Sequence, residues 1–317
     1  LVTKVEACCT KLKTWNRTSF GHIQSLLEKK RKLLAQAEAL SMTGRNHEQL
    51  RTLKGEVYEL MVKENAMWHQ RSRVEWLKAG DLNTSYFHSR ATQRNRRNFI
   101  SKLNGEDGQV VEDEQKIGEM MASYFSELFT TAAPSDLDPI LKGIERKVTP
   151  QMNQELTREY TAREVEVALK QMKSISAPGP DGMPPIFFKH YWNTVGPDVL
   201  SATLSVLNSG IIPPNINHTF ISLIPKIKSP ATAKDFRPIS LCNVIYKLIS
   251  KTIANRLKKC LPKLISNSQS AFLSNRLITD NILIAFETLH HLKNKRTGKT
   301  SSMALKLDMS KAYDRVE

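Results

Sequence analysis

The sequence contains no long apolar run and only a few cysteines. No stretch of about 18 apolar residues occurs, so we expect no transmembrane helix. The four cysteines form no CxxC pair and no cluster with nearby histidines, so we expect reduced structural thiols and not a zinc site. They are Cys8, Cys9, Cys242 and Cys260. Internal repeats and long low-complexity tracts are also lacking, which excludes repeat architectures.

Acidic residues are scarce compared with basic ones. The 317 residues include 47 Lys and Arg but only 31 Asp and Glu, which gives a formal net charge of +16. An excess of this size indicates a polyanionic partner, more often nucleic acid than an anionic membrane. A soluble protein with a solvated basic face is the alternative. With 40% hydrophobic residues, the chain can form one or two packed domains.

The first third of the chain is helical and basic in pattern. Apolar residues at three- and four-residue spacing predict two helices, about 23–40 and 50–61, that form an antiparallel hairpin. A mixed aromatic and basic segment follows, and arginines with aromatics suit single-stranded nucleic acid, although the aromatics could equally be core residues. The predicted nucleic-acid patch within it comprises Arg90, Arg94, Arg96 and Arg97. Two short strands, 99–103 and 109–111, flank Asn104–Gly108 and predict a β-hairpin, and Asp113 should cap the next helix.

A small, polar, Pro-containing stretch at 130–139 predicts a domain boundary. Beyond it, Thr161 and Glu164 form a capping box, and a loop rich in Pro and Gly occupies 176–185. A helix that Gly210 stops follows, then a strand at 220–224, a helix at about 243–260, a helix from Thr279 and a last strand at 303–308. The helix at 243–260 is expected to bury Val244, Leu248, Ile249, Ile253 and Leu257. We therefore predict an α+β, mostly helical fold with three regions. They are a helical basic region with a small β-hairpin at 1–130, a linker at 131–150 and a second domain at 151–317.

Asp308 ends the last predicted strand. A carboxylate at a strand end can bind a hard cation such as Mg²⁺, and two such ions can activate a 3′-hydroxyl and neutralise a leaving pyrophosphate. Two ions need more carboxylates than one aspartate supplies, and an Asp at a strand end is most often a turn or cap residue. On physical grounds alone this indication is weak.

Four segments of the sequence resemble motifs of one protein family and occur in that family's order. Lys306–Asp314 (KLDMSKAYD) resembles the first catalytic-aspartate motif of non-LTR (LINE-type) retrotransposon reverse transcriptases. Ala177–Gly182 (APGPDG), Asp235–Leu241 (DFRPISL) after Leu223–Lys226 (LIPK), and Gln269–Phe272 (QSAF) with Arg276 and Asp280–Asn281 resemble the preceding motifs of that family. The resemblance covers about 161–317, and the arginine-rich front end is similar, more loosely, to the region before the polymerase in plant elements.

The resemblance implies a role for each matching residue. Asp308 is the catalytic residue and a metal ligand, and Met309 offers its backbone carbonyl to a metal. Tyr313 lies under the sugar, while Gln269 and Phe272 shape the nucleotide pocket. The triphosphate is held by Lys226 and Arg237, which is sensible chemistry because both cations lie beside Pro-stiffened turns. The template is held by Pro178, Gly179, Gly182 and Arg276.

The resemblance also implies a fold and partners. The helical N-terminal region would precede the fingers and a partial, truncated palm of a right-hand polymerase, and the partners would be an RNA template, a DNA primer and dNTPs, with Mg²⁺ as cofactor. The family's later aromatic-x-Asp-Asp motif has no counterpart here, since the sequence has no Asp-Asp pair. We therefore expect the chain to be inactive alone. The family's life cycle implies a nuclear location, although a cytoplasmic one and the oligomeric state stay open. The alternatives are a non-catalytic nucleic-acid-binding protein derived from such an element and a decayed gene product.

Overall fold

The computed structural model describes residues 1–20, 22–41, 47–72, 84–105, 107–131, 133, 137–271, 273–295 and 302–309. Helix accounts for 65% of the structure and strand for 6%, which confirms a mostly helical chain with a small β component. No helix among the described residues is both long and apolar enough to cross a membrane.

The helices of the described residues follow one another along the whole chain. A π-helical turn, Asn16–Phe20, follows the first of them. Their bounds are α1 Val2–Trp15, α2 Ile23–Ser41, α3 His47–Ser72, α4 Thr84–Asn98, α5 Glu114–Phe129, α6 Asp138–Lys142, α7 Pro150–Thr157, α8 Ala162–Gln171, α9 Pro185–His190, α10 Trp192–Ser209, α11 Val244–Leu264 and α12 Ile278–Asn294.

Two small antiparallel sheets complete the described structure. Strands β1 (Leu103–Asn104) and β2 (Val110–Val111) form the predicted hairpin, which is shorter than expected because Phe99–Lys102 are not part of a strand. Strands β3 (Phe220–Pro225) and β4 (Phe236–Leu241) pair along their whole length, from Phe220 opposite Leu241 to Pro225 opposite Phe236. The predicted strand at 220–224 is therefore confirmed.

The chain divides into two compact units, each assembled from separate chain segments. The first comprises Leu1–Ile117, Lys173–Asp198 and Pro214–Val244, and the second comprises Gly118–Met172, Val199–Pro213 and Ile245–Glu317. Each unit therefore depends on contacts between residues that are far apart in the sequence. The predicted boundary near 131–150 stays a prediction about domain organisation.

The predicted helical hairpin is present in the first unit. Leu27 of α2 packs against Val57 and Leu60 of α3, with Leu34 and Met61 at the edge of this cluster. Two ion pairs join the same helices, Lys30 with Glu56 at 2.6 Å and Lys54 with Glu38 at 3.3 Å. These pairings run in opposite directions along the two helices, which confirms an antiparallel arrangement. The predicted break at Thr43–Asn46 lies outside the described residues.

The aromatic segment of the first unit is packed, not free. Phe87 of α4 is only 2% exposed, and its ring meets that of His69 edge-on at 4.9 Å. Trp68 of α3 and His88 of α4 make a similar contact at 4.2 Å. For Phe87 the core interpretation is therefore correct. The arginines of α4 remain on the surface.

Helix ends confirm the predicted capping residues. Asp113 accepts a hydrogen bond from the backbone N–H of Lys116 at 2.9 Å, which satisfies one of the free donors at the start of α5. Glu164 accepts hydrogen bonds from the backbone N–H and the hydroxyl of Thr161, both at 3.0 Å, at the start of α8. Gly210 ends α10 with a left-handed φ of 72°, a conformation that glycine adopts without strain.

Two expectations about the last third are wrong. The segment 303–308 is not a strand, since no described residue pairs with it, and a strand without a partner leaves its backbone groups unsatisfied. In α11, Val244, Leu248 and Ile249 are buried as expected, but Ile253 and Leu257 are exposed. These two residues continue the row of Ile249 at four-residue spacing, so helical periodicity did not reveal that this part of the face is left uncovered among the described residues.

Candidate functional site

The β3–β4 hairpin brings two of the predicted phosphate-binding cations together. Ile224 lies opposite Arg237 in the register, so their side chains share one face of the sheet. The backbone N–H of Lys226 donates to the carbonyl of Asp235 at 2.8 Å, which extends the pairing just beyond the end of β3. Side chains alternate between the two faces of a strand, so Lys226 lies on the same face as Ile224. Lys226 and Arg237 are therefore diagonal neighbours on that face, and such neighbours are about 7–8 Å apart.

A short 3₁₀ turn, Ala233–Asp235, holds the hairpin end in place. The carboxylate of Asp235 accepts hydrogen bonds from the backbone N–H groups of Thr232 and Ala231, both at 2.9 Å, and these bonds hold the pKa of Asp235 below its ordinary value. The ammonium of Lys226 donates to the carbonyl of Lys234 at 2.8 Å. Both Lys226 and Arg237 are exposed, and within the described part of the chain neither has an ion-pair partner. Their charges are therefore available to an anionic ligand.

The Pro- and Gly-rich loop is held against the end of β4. The backbone N–H of Asp181 donates to the side-chain oxygen of Asn243 at 3.2 Å, and the N–H of Gly182 donates to the carbonyl of Gly179 at 3.0 Å. A Cβ at position 179 would lie 2.3 Å from Oδ1 of Asn243 and 2.6 Å from the carbonyl carbon of Cys242. Only glycine permits this approach.

Gly182 has its own requirement for glycine. Its φ is +71°, and a Cβ there would lie 2.9 Å from the sulfur of Cys9. Both glycines therefore have a packing role within the first unit, and Pro178 beside them remains exposed. A template contact by Pro178, Gly179 and Gly182 stays a prediction.

The segment before α12 brings Gln269 and Arg276 together. The guanidinium of Arg276 donates to the carbonyls of Ser266 and Gln269, the latter at 2.6 Å. Ser270 donates to the side-chain oxygen of Asn281 at 2.8 Å, which ties the same turn to α12. The described contacts of Arg276 thus organise the turn. Phe272, predicted for the nucleotide pocket, lies outside the described residues.

The predicted metal ligands occupy an exposed stretch of the second unit. Asp308 and Met309 are both exposed in the segment 302–309, which has neither helix nor strand. Among the described residues no group of three or more His, Cys, Asp or Glu side chains could hold a metal ion. Within 302–309, Asp308 is the one carboxylate, which is too few for a two-ion centre. Tyr313 lies outside the described residues.

The predicted arginine patch lies on α4 of the first unit. This helix has no acidic residue, and Arg90, Arg94, Arg96 and Arg97 are all exposed. Arg90, Arg94 and Arg97 follow one another at four- and three-residue spacing, so they form one stripe along the helix. Such a stripe can follow a phosphate backbone.

One group of residues escaped the sequence analysis. Arg256 of α11 is only 4% exposed, and its guanidinium donates to both carboxylate oxygens of Glu164, at 2.8 and 2.9 Å. It also donates to the carbonyls of Leu156, Arg158 and Glu159, and it lies 3.4 Å above the ring of Tyr160. The capping box revealed Glu164, but nothing local in the sequence indicates a partner 92 residues away.

This contact network shifts the titration of both ionic partners. The hydrogen bonds from Arg256 lower the pKa of Glu164 from its ordinary value of 4.5 to about 2, and the bonds from Thr161 act in the same direction. The pKa of Arg256 is raised by the same pairing. Both groups are therefore charged across the physiological range. Their role is to join the segment 156–164 to α11.

Comparison with known proteins shows what this chain is similar to. Residues 224–317 match the family of reverse transcriptases (RNA-dependent DNA polymerases). The chain is 28% identical over 314 residues to the transposon TX1 uncharacterized 149 kDa protein of Xenopus laevis, an alignment that covers 90% of this chain and 24% of that protein. It is 28% identical over 218 residues to the retrovirus-related Pol polyprotein from type-2 retrotransposable element R2DM of Drosophila melanogaster, covering 68% of this chain and 18% of that protein.

The comparisons confirm the resemblance that the motifs carried. The matched segment contains Lys226, Arg237, the 269–281 motif and Asp308. The chain spans a quarter or less of the length of these two relatives. The derived, non-catalytic binding protein is not favoured, because the family match extends through the predicted catalytic aspartate. A likeness to plant elements in particular stays a prediction. Together, the family match and these two relatives support a reverse transcriptase of the non-LTR retrotransposon type.

Proposed function

We propose that this chain supplies the nucleotide- and template-binding part of an RNA-directed DNA polymerase. The observation that carries the proposal is the pair of exposed cations on the β3–β4 hairpin, Lys226 and Arg237, which lie on one face and within the family match. Two backbone hydrogen bonds to Asp235 hold the turn at this point of the hairpin. Preorganised positive charge of this kind suits the triphosphate of an incoming dNTP.

The template strand and primer would be held by other parts of the chain. The 177–182 loop and Arg276 would contact an RNA template, Gln269 and Phe272 would line the nucleotide pocket, and Tyr313 would lie under the sugar. The arginine stripe on α4 would add contacts to phosphates that do not depend on sequence. The net charge of +16 supports a polyanionic partner of this kind.

We propose Mg²⁺ as the metal, with Asp308 and the carbonyl of Met309 among its ligands. When bound, a divalent ion would activate the primer hydroxyl and neutralise developing charge. The described residues alone do not form such a site, because one carboxylate cannot hold two ions. We therefore expect the 317-residue chain to bind template and nucleotide without extending a primer.

A nucleotide-binding experiment tests the proposal. The chain would be mixed with an RNA template, a DNA primer and a radiolabelled dNTP, and the bound nucleotide would be measured by photo-crosslinking. We expect Lys226→Gln and Arg237→Gln each to weaken nucleotide binding about tenfold or more, because each removes a charge-assisted bond of about 1.5–3 kcal/mol.

Lys228→Gln is the matched control. Lys228 is exposed on the same β3–β4 connection and has no ion-pair partner among the described residues. Its replacement should change nucleotide binding less than about twofold. Equal losses in all three variants, or no loss in any of them, would reject the proposed role of Lys226 and Arg237.

A further inference from the structure

The second unit contains a groove of about 770 Å³ between α8 and α11 that none of the motifs predicted. One wall carries Arg163, Val167 and Gln171 of α8, which recur every four residues and so share one face. The other wall belongs to α11. Its lining residues there are Lys251, Thr252, Ala254, Asn255, Arg256, Lys258 and Lys259.

The charge of the groove is strongly positive. Its lining contains six cationic side chains and one carboxylate, Glu164. That carboxylate is already neutralised, since Arg256 and Arg158 both donate to it within 3.0 Å. Within the part of the chain that the structure describes, the other four cations have no acidic partner. They are Arg163, Lys251, Lys258 and Lys259.

The spacing of these residues suits an extended ligand. Lys251, Asn255 and Lys258 follow one another at four- and three-residue intervals on α11, so their side chains form a row. Seven residues of helix span about 10 Å. Phosphates of one nucleic-acid strand recur about every 3.4 Å along a helix axis, so this row matches about three of them.

The row also includes an unsatisfied donor. The side-chain amide nitrogen of Asn255 is buried and has no acceptor among the described residues. A buried donor without an acceptor costs about 1–3 kcal/mol, so a phosphate or hydroxyl oxygen in the groove would be favoured there.

We propose that the groove between α8 and α11 binds the sugar-phosphate backbone of a nucleic-acid strand. The proposal rests on the proposed function, since the polymerase domain selects nucleic acid among possible polyanions. The groove belongs to the second unit, and the β3–β4 cations belong to the first. Arg163, Lys251, Lys258 and Lys259 would contact phosphates, and Asn255 would donate to a backbone oxygen.

The test compares two triple variants of the full chain. The first is Lys251→Gln, Lys258→Gln and Lys259→Gln in the groove. The second is Lys142→Gln, Arg146→Gln and Lys147→Gln, which makes the same change in charge at exposed sites of the second unit that do not line the groove. Fluorescence anisotropy would measure the binding of a short single-stranded RNA, the same sequence as DNA, and an RNA–DNA hybrid, between about 50 and 200 mM salt.

We expect the groove variant to bind at least about tenfold more weakly than the unaltered chain. Its slope of log affinity against log salt should be flatter by about 2, since each phosphate contact contributes about 0.7 to 0.9. The control triple should change the affinity less than about threefold. Comparing the three nucleic acids shows which kind of strand the groove prefers. A loss of affinity confined to the hybrid indicates that the groove binds a duplex. A loss of affinity confined to the RNA or the DNA strand indicates that it binds a single strand.

Equal losses in both triple variants, or none in the groove variant, would overturn the proposal. The double variant Lys258→Gln and Lys259→Gln, at two exposed positions, should show about two thirds of the change in slope. This variant can still reject the proposal if Lys251→Gln impairs folding. The crosslinking of nucleotide to the Lys226→Gln and Arg237→Gln variants is a separate measurement from the binding of nucleic acid to the groove. A failed groove therefore leaves the proposed function intact, and a failed proposed function shows in the crosslinking alone.

Discussion

At the scale of single residues, the pair of Glu164 and Arg256 dominates the second unit. The guanidinium is nearly inaccessible to solvent and satisfies three backbone carbonyls together with the carboxylate. Removing one partner would leave the other charge buried without compensation, which is far more costly than losing a surface ion pair. The stability of this unit should therefore depend on the ionisation of Glu164.

The pKa of Glu164 sets the direction of that dependence. The folded value is about 2 and the ordinary value is 4.5, so folding favours the charged form. The stabilisation is fully present above pH 4.5 and is lost as the pH falls towards about 2. We expect Glu164→Gln to lower the free energy of unfolding by about 3 kcal/mol near neutral pH, with the difference from the unaltered chain shrinking across that window. Urea unfolding followed by circular dichroism across the pH range measures this.

Glu166→Gln is the control for this prediction. Glu166 lies on α8 two residues away and has no ion-pair partner among the described residues. Its replacement should leave the free energy of unfolding within about 0.5 kcal/mol. A difference between Glu164→Gln and the unaltered chain that stays constant down to pH 2 would show that the carboxylate charge is not responsible.

At the scale of elements, α11 and α12 use similar apolar patterns differently. Leu248 of α11 is fully buried, whereas Leu283 of α12 is 60% exposed. Most apolar side chains of α12 are exposed in this way, and only Leu292 among its large apolar residues is half-buried. The exposed ones include Ile278, Ile282, Ile284, Phe286 and Leu289. Helical periodicity identifies which residues share a face, but it does not decide whether another element covers that face.

The two leucines allow a matched comparison within the second unit. We expect Leu248→Ala to reduce the free energy of unfolding by about 2–5 kcal/mol, because it removes buried apolar surface and leaves a cavity. Leu283→Ala should change it by less than about 0.5 kcal/mol, because the side chain is already in contact with water. Chemical denaturation of both variants measures the contrast. Similar losses for the two variants would show that α12 is covered in solution.

At the scale of the whole molecule, distant chain segments meet to form each unit. Gly179 lies in the 173–198 segment of the first unit, and Asn243 lies in its 214–244 segment. The approach of these two residues leaves no room for a Cβ at position 179. The Pro- and Gly-rich loop is therefore held by tertiary contacts, and its conformation depends on the end of β4.

Gly179→Ala should disrupt this junction. The added methyl group would overlap Asn243 and the backbone of Cys242, so we expect a loss of about 3 kcal/mol in the free energy of unfolding. Gly55→Ala is the control, because no atom lies within 4 Å of a Cβ at that position in α3, and alanine should stabilise the helix there by about 0.5–1 kcal/mol. Thermal unfolding of both variants measures these two changes in stability. A Gly179→Ala protein as stable as the unaltered chain would contradict the observed packing.

Much of the local structure could be predicted because its causes lie within a few residues. Asp113 caps α5 through a residue three positions away, Glu164 reaches back to Thr161, and Gly210 ends α10 through its own backbone freedom. The hairpin of α2 and α3 could be predicted because each helix has one apolar stripe and a short connection joins them. Of the candidate site, the motifs identified the family and both cations of the β3–β4 hairpin.

The sequence by itself determined the hairpin of α2 and α3, the caps and the kinship with reverse transcriptases, because those signals are local or lie in the motif residues themselves. Only the tertiary structure decided which carboxylate Arg256 binds, why position 179 must be glycine, which apolar face of α12 stays uncovered and where the basic groove lies. Each of these depends on contacts between segments far apart in the chain, and the energy of such a contact is set by the neighbour that folding brings to it. A residue's own chemistry limits what it can bind, while its surroundings in the fold select the partner.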